Sequence, residues 1–309
     1  MMRSRSGKAV WWALLALVVV LGGGFALLRS GILDDAGAAE GAKAPEPPPI
    51  TVEADPAPSF EPGALKALIE KNLPKGIDET VTAYIRWLAA DAKRIRDFKD
   101  YSMTLVKTER INGKTWPTEK ALVKIRNQPF SVYMAFSEPK GLKGQEVIFV
   151  EGKNEGRIVG HTGGILSLVG TLRVLPTSAR AMQGNRHPIN DLGISHMVEE
   201  AVRNVPGDLK RGKTEFEYKL GEKKLGKTCT LFIIRRKEVD PGGKDPKFHS
   251  DYMYFDDETN LPIFYQLYEW PEKKGDPPVL VEEYAHEDIK IDNGFTDLDF
   301  DEKNPKYHY

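Results

Sequence analysis

Glu119–Gly152, EKALVKIRNQPFSVYMAFSEPKGLKGQEVIFVEG, decides how the rest of the chain is read. Ala121–Arg126 and Phe130–Ser137 are short runs of branched and aromatic residues separated by Asn127–Pro129. Glu146–Val150 repeats the pattern after a turn carrying Pro139, Gly141 and Gly144. Runs of this length bounded by turn residues are strands, and strands joined by so few residues are antiparallel neighbours.

The same grammar extends both ways. Upstream, Tyr101-Met103-Leu105 alternates with Ser102-Thr104, and Asn112-Gly113 is a strong hairpin turn. Downstream, Arg157–His161, Ile165–Leu175, Glu215–Leu220, Thr228–Lys237, Ser250–Phe255, Pro262–Trp270, Val279–Ile291 and a short terminal segment near Asp297–Phe300 read as further strands. The sum is an antiparallel meander of about eleven strands. Phe130–Phe136 and Pro262–Trp270 are apolar on both faces. Two-sided burial calls either for a well-covered sheet core or for helices on one face and a cavity or partner on part of the other.

Helices precede and interrupt the meander, giving an α+β class. Gly63–Leu73 is short and stopped at Pro74. From about Asp78 to Phe98, Val81, Tyr84, Ile85, Leu88, Ala92, Ile95 and Phe98 form one apolar stripe, with Asp78 placed to cap it. Pro176–Gly212 has few strand signals and holds a helix with Ile194, Met197, Val198, Ala201, Val202 and Val205 on one face. Asp191 is placed to cap it and Pro206-Gly207 to end it. An insertion of this kind between strands is a candidate lid.

At the start of the chain, residues 1–8 carry Arg3, Arg5 and Lys8, and Ala9–Leu28 has no charged residue. About 20 apolar residues cross a hydrocarbon core as a helix, and the basic flank keeps the N-terminus cytoplasmic. The segment reads as a transmembrane signal-anchor, with cleavage near Ala36-Gly37-Ala38 as the alternative fate. Residues 29–62 hold Pro45, Pro47, Pro48, Pro49, Pro56, Pro58 and Pro62, a semi-rigid tether to a domain over 63–309.

Composition excludes several classes. The 44 Lys and Arg nearly balance the 45 Asp and Glu, against a nucleic-acid-binding surface. A single cysteine, Cys229, leaves no disulfide framework and no multi-cysteine zinc site. Gly221–Thr228, GEKKLGKT, matches a phosphate-loop pattern in every letter, but the β-branched run after it is a strand where that loop needs a helix, so it reads as a hairpin. Asp297, Asp299 and Asp301 have calcium-loop spacing without its Gly and Glu, and suit a strand with Leu298 and Phe300 inward. His286-Glu287 lacks the second His of a zinc-protease helix, since Lys290 stands there. No G-x-S-x-G elbow occurs. The reading is non-enzymatic, with no metal and no cofactor.

Glu119–Gly152 resembles the bacterial lipoprotein-sorting carriers of the LolA/LolB superfamily: a strand ending in Arg, then Pro with an aromatic, a second strand, a turn, and a strand closing on an acidic-Gly turn. Asp257–Ile263, DETNLPI, is similar to that superfamily's hairpin into its later strands. Tyr101–Lys114, Arg126–Met134, Pro176–Ile189 (PTSARAMQGNRHPI) and Leu298–Tyr309 (LDFDEKNPKYHY) together resemble an uncharacterised bacterial family, domain of unknown function fifteen-seventy-one, within that superfamily. The resemblance implies a strongly curved, unclosed antiparallel barrel with helices and a lid in its mouth, whose concave face holds acyl chains. It also implies a latch between an Arg and the lid helix. Arg126 matches that Arg, although Asn127-Gln128 separate it from Pro129 where the carriers have Arg and Pro adjacent.

The functional expectation is an envelope protein that binds a lipid, acyl chain or lipoprotein in the curved sheet. Met103, Leu105, Phe130, Val132, Met134 and Phe136 would line the cavity, with Arg126 near the lid. Arg180, Arg186 and His187 either meet an anionic headgroup at the mouth or make structural bridges to acidic strands. The alternative is a sensor or interaction module that binds another envelope protein through its sheet edge or lid. An anchored chain would sit in the inner membrane with a periplasmic domain; a cleaved one would be free in the periplasm.

Overall fold

The computed structural model describes residues 58–163, 170–211, 213–237 and 248–309, all within the compact unit Glu46–Tyr309. Ala9–Leu28 and residues 29–57 lie outside the described residues. Among the described residues no helix is long and apolar enough to cross a membrane.

Two helices open this part. α1 covers Ala64–Asn72 and passes through a 3-10 turn at Leu73–Lys75 into α2, Ile77–Asp97. The α2 stripe is as the spacing requires, with Val81, Tyr84, Leu88, Ala92 and Ile95 buried beside Trp87. Asp78 does not cap it. Gly76 holds the N-cap position without a side-chain bond, and Asp78 lies in the first turn, where its charge complements the helix dipole.

Seven strands follow: β1 Asp100–Ile111, β2 Lys114–Thr115, β3 Glu119–Arg126, β4 Ser131–Glu138, β5 Glu146–Val150, β6 Ile158–His161 and β7 Thr171–Val174. The β1–β2 hairpin turns on Asn112 and Gly113 at φ 51° and 77°, the left-handed pair that a two-residue turn of this twist demands. The segment after β7 holds a 3-10 turn at Ile189–Asp191 and α3, Ile194–Arg211. Asp191 falls in that 3-10 turn. α3 runs on through Pro206-Gly207 rather than ending there. The N-terminal half of the predicted strand Ile165–Leu175 lies outside the described residues.

β8 Thr214–Lys224, β9 Lys227–Arg236, β10 Phe248–Asp256, β11 Pro262–Glu269 and β12 Val279–Ile291 complete the sheet. Its order is β7-β6-β5-β4-β3-β1-β12-β11-β10-β9-β8, every pair antiparallel, with β2 attached to β1. Two consecutive meanders therefore meet where β1 pairs β12. Asp297–Phe300 is a 3-10 turn capped by Thr296 and not a strand; Phe300 is buried but Leu298 is exposed.

The two faces of the sheet are covered differently. α1, α2 and α3 lie on one, where Tyr84 stacks on Phe232 at 3.9 Å and Trp87 meets Phe255 edge-on at 5.6 Å. On the other face, Tyr133, Ile148, Val150 and Val159 are covered by Phe295, Phe300, Tyr307 and Tyr309 of the C-terminal segment. Tyr307 stacks on Tyr133 at 4.0 Å. The Lys124 ammonium sits 5.0–5.5 Å from the Tyr133, Phe295 and Tyr307 ring centres and 2.8 Å from Asp299. The chain's own tail thus accounts for the two-sided burial of β4.

Candidate functional site

Register decides which residues share the helix-covered face. Leu105 stands opposite Ala121, which stands opposite Phe136; Met103, Val123 and Met134 form the next row, and Tyr101, Ile125 and Val132 the one after. Met103, Leu105, Val132 and Met134 are therefore on one face and are buried as packed core. Phe130, just ahead of β4, and Phe136 pack on the same cluster while keeping some surface.

Further along the same face the chemistry changes. On β1 the inward positions after Leu105 are Lys107 and Glu109, both buried. Glu109 faces Glu282 of β12, and the row continues through Leu267, Asp251, Ile234 and Phe216 across to β8. The neighbouring row runs Glu119, Lys107, Tyr284, Tyr265, Met253, Phe232 and Tyr218. An apolar interior thus ends in a band of buried charge and phenol at one end of the sheet.

The 176–211 segment is fastened to the sheet at three points, the first and third at this band and the second at the apolar end. First, the Arg186 guanidinium donates to the Glu282 carboxylate and to the Arg110 carbonyl (3.0 Å), its backbone N–H donates to Glu109 (3.1 Å), and His187 Nε2 lies 3.0 Å from Glu282. Asn185 takes a 2.5 Å bond from Lys107, which also pairs Glu109 (3.3 Å) and Glu119 (3.2 Å). Second, the Tyr101 hydroxyl accepts the Ile194 N–H at 3.0 Å, with Gly193 packed against it. Third, Arg236 holds Asp208 of α3 through two bonds (2.6 and 3.1 Å) and Asp251 of β10 at 2.8 Å.

The charges in these bridges perturb one another. The Glu282 hydrogen bond, ahead of other causes, raises the His187 pKa. Burial works to raise Glu282, but its bonds to His187 and Arg186 outweigh that and hold it low. Burial raises Glu119 and Asp251. Burial also opposes charge on Arg236, yet its bonds to Asp208 and Asp251 push it up.

Tyr265 and Tyr284 are surrounded deeply enough for burial to hold their hydroxyls well above the usual range, yet both keep accessible surface. Asp251 combines the same two properties. Two buried polar atoms of the third bridge have no partner: Arg236 Nη1 and Asp251 Oδ1.

The remaining predicted residues lie elsewhere. Arg126 is not at the lid. It projects from the opposite face, bonding Asp297 at 2.7 Å and Ser131 at 3.0 Å, above the Phe300 ring. The residues separating it from Pro129 are not a strand bulge: the Asn127 amide donates to the Ile95 carbonyl (2.7 Å) and the Phe98 carbonyl (2.9 Å), satisfying the C-terminus of α2. Arg180 is exposed. The phosphate-loop lookalike is the β8–β9 hairpin, turning on Leu225 and Gly226 at φ 49° and 75°. The cleft beside it brings Lys227 and Thr228 against Asp256, Asp257 and Glu258, an acidic setting that repels phosphate. Among the described residues no three His, Cys, Asp or Glu are placed to hold a metal.

Residues 98–309 match the family model described as protein of unknown function, DUF1571. The chain belongs to this family. No curated protein matches it. Among solved structures, the lipoprotein LppX of Mycobacterium tuberculosis is similar at 12% identity and a TM-score of 0.40, over 71% of this chain and 99% of that one. The MucA/MucB complex of Pseudomonas aeruginosa is similar at 13% and 0.37, over 70% and 60%. A putative outer membrane lipoprotein-sorting protein domain from Vibrio parahaemolyticus is similar at 12% and 0.34, over 69% and 94%.

Proposed function

We propose that this member of the DUF1571 family is a non-enzymatic envelope protein that takes up a lipid or the acyl part of a lipoprotein beneath α3. A gradient of polarity along the helix-covered face of the sheet carries the proposal. The apolar rows of Leu105 and Phe136 give way to the charged row of Glu109 and Glu282, an amphiphile's own sequence of apolar chain and polar head. The cover is fastened by polar bridges that open without tearing the sheet, because each joins the 176–211 segment to strands that are fully paired without it. Phe130 and Phe136, with surface still accessible, and the packed Met103, Leu105, Val132 and Met134 behind them would receive the chain as the cover lifts. Ala9–Leu28 would hold the domain at the inner membrane, or release it to the periplasm if cleaved. A docking module at the β8 edge is the weaker reading. Glu215, Glu217, Lys219, Lys223 and the irregular register between Lys219 and Glu222 are features that keep an edge from accepting a new strand.

The test is gentle purification of the full chain followed by organic extraction and mass spectrometry, with titration of a fluorescent fatty acid. Co-purifying lipid and saturable uptake are expected. No extracted lipid together with no uptake would refute the proposal.

A further inference from the structure

The face of the sheet turned away from the helices is covered over β4–β6 by the C-terminal segment, but over β9–β11 it is built differently. Alternation with Phe232, Ile234, Met253 and Phe255 of the helix-covered cluster turns Leu231, Ile233, Tyr252 and Tyr254 outward. Phe264 of β11 stands opposite Tyr254 in the same row. Leu231, Ile233 and Phe264 are only 3, 1 and 5% exposed, yet they belong neither to the cluster under the helices nor to the one under the C-terminal segment. Half-buried tyrosines flank this apolar floor. Tyr254 meets Phe264 edge-on at 5.7 Å, and Tyr252 meets Tyr268 edge-on at 5.5 Å. Lys224 Nζ lies 3.4 Å from the Phe264 ring centre and 5.3 Å from that of Tyr254, and among the described residues it has no carboxylate partner.

The first described residues are pinned at one end of these aromatic rows. Gly63 donates its N–H to the Asp257 carbonyl at 2.5 Å, and the Asn260 amide donates to the carbonyls of Phe60 and Glu61 at 2.9 Å. The chain therefore enters at the β10–β11 turn, two residues along β10 from Tyr254. Residues 46–57 precede it within the compact unit Glu46–Tyr309. They read EPPPITVEADPA, with Glu46, Glu53 and Asp55 and no Lys or Arg. Proline-rich chain extends about 3.1 Å per residue, so this stretch reaches about 37 Å, past the length of about 30 Å of a nine-residue strand.

We propose that residues 46–57 dock in cis along the outward aromatic face of β9–β11, so that the tether is a bound strap and not a free spacer. The order of its chemistry matches the order of the face. Asp55, nearest the entry point, meets the Lys224 ammonium. Ile50 and Val52 lie over Leu231 and Ile233, and Pro47, Pro48 and Pro49 stack between Tyr252 and Tyr268. A preformed extended chain on an aromatic surface loses little entropy on binding, which is why proline-rich segments favour such surfaces. Docking leaves residues 29–45 as the free part of the tether.

The experiment uses the full chain in detergent micelles. Tyrosine nitration is followed by peptide mass spectrometry in the wild type and in a strap variant, Pro47→Gly, Pro48→Gly, Pro49→Gly, Ile50→Ser and Val52→Ser. Tyr252 and Tyr268 should react about tenfold faster in the variant, the protection given by a cover in place nine-tenths of the time, while Tyr218 on the helix-covered face keeps its rate. Carbodiimide should couple Lys224 to Asp55 or Glu53 within a monomer of the wild type, and the coupling should be lost in the variant. Equal nitration in the two proteins, with matching circular dichroism, would overturn the proposal. Coupling confined to a dimer band would overturn it too, by assigning the face to the tether of a second copy.

Discussion

Gly193 precedes α3 at φ 125°, and a Cβ added there would stand 2.5 Å from the Tyr101 hydroxyl and 3.2 Å from Ile125 Cδ1. That hydroxyl is the acceptor for the Ile194 N–H. Gly193→Ala therefore imposes two separable costs. A side chain at this backbone conformation costs about 1–2 kcal/mol. Displacing Tyr101 leaves a buried N–H without its partner, about 1–3 kcal/mol more. The expected total is about 2–5 kcal/mol, read from urea unfolding, with early proteolytic cleavage of the 176–211 segment because its helix has lost an anchor. Tyr101→Phe supplies the control. It removes the hydroxyl, whose bond is already lost, and leaves the ring carbon that carried it 3.8 Å from the new methyl group. Adding Gly193→Ala to Tyr101→Phe should then cost only the backbone part. If the two substitutions add without coupling, or Gly193→Ala costs less than about 0.5 kcal/mol, the hydroxyl is not what holds the helix start.

Three further outcomes follow from the bridges. The His187 pKa is raised in the folded protein, so the Glu282–His187 contribution is full below the unfolded histidine value near 6.5 and fades as pH rises through the folded value. Glu282 is held low, so its own share is lost on the acid side as pH falls through its folded value. Amide exchange in the 183–195 segment should accelerate on going from pH 6 to pH 8.5 beyond the intrinsic rate, and His187→Gln should flatten that dependence; an unchanged slope would refute it. Asn127→Ala should cost about 1–2 kcal/mol in urea unfolding and raise exchange in the last turn of α2, since the carbonyls of Ile95, Arg96 and Phe98 lose their donor. Tyr307→Ala should cost about 2 kcal/mol and expose Tyr133 to chemical modification, because it removes one side of a stacked pair and part of the Lys124 cage; an inert Tyr133 would show that the tail is not its cover.

The alternation of Tyr101, Met103 and Leu105 made β1 legible, and its parity placed the lining residues on one face. The same parity, carried two positions further, lands on Lys107 and Glu109. Charged residues at inward positions of an apolar set were the available signal for the mouth. Glu282 carries the same signal in β12. Asp251, in step with Met253 and Phe255, and Arg236, in step with Phe232 and Ile234, carry it too, whereas Asp208 of α3 shows no such mark and meets them only through the fold. Arg126 misled because a residue's face in a strand flips with each step, and the neighbour of buried Ile125 necessarily points away from the helices. The 3-10 turn at Asp297–Phe300 could not be told from a strand over so few residues, and the Thr296–Asp299 capping pair was its local mark.

The pairing of β1 with β12 has a consequence for how the protein is made. Tyr101 meets Ile291 and Glu109 meets Glu282, the longest-range contacts along the centre of the sheet. As the chain emerges N-terminus first, β1 through β7 can assemble as a local meander, but the open edge of β1 waits for almost the whole remaining sequence. Until β12 arrives, that edge displays unpaired amides beside an apolar face, the condition under which nascent sheets capture the wrong neighbour. The charged inward pair Lys107 and Glu109 sits on that waiting strand, where it would discourage a foreign strand as effectively as it later anchors the cover.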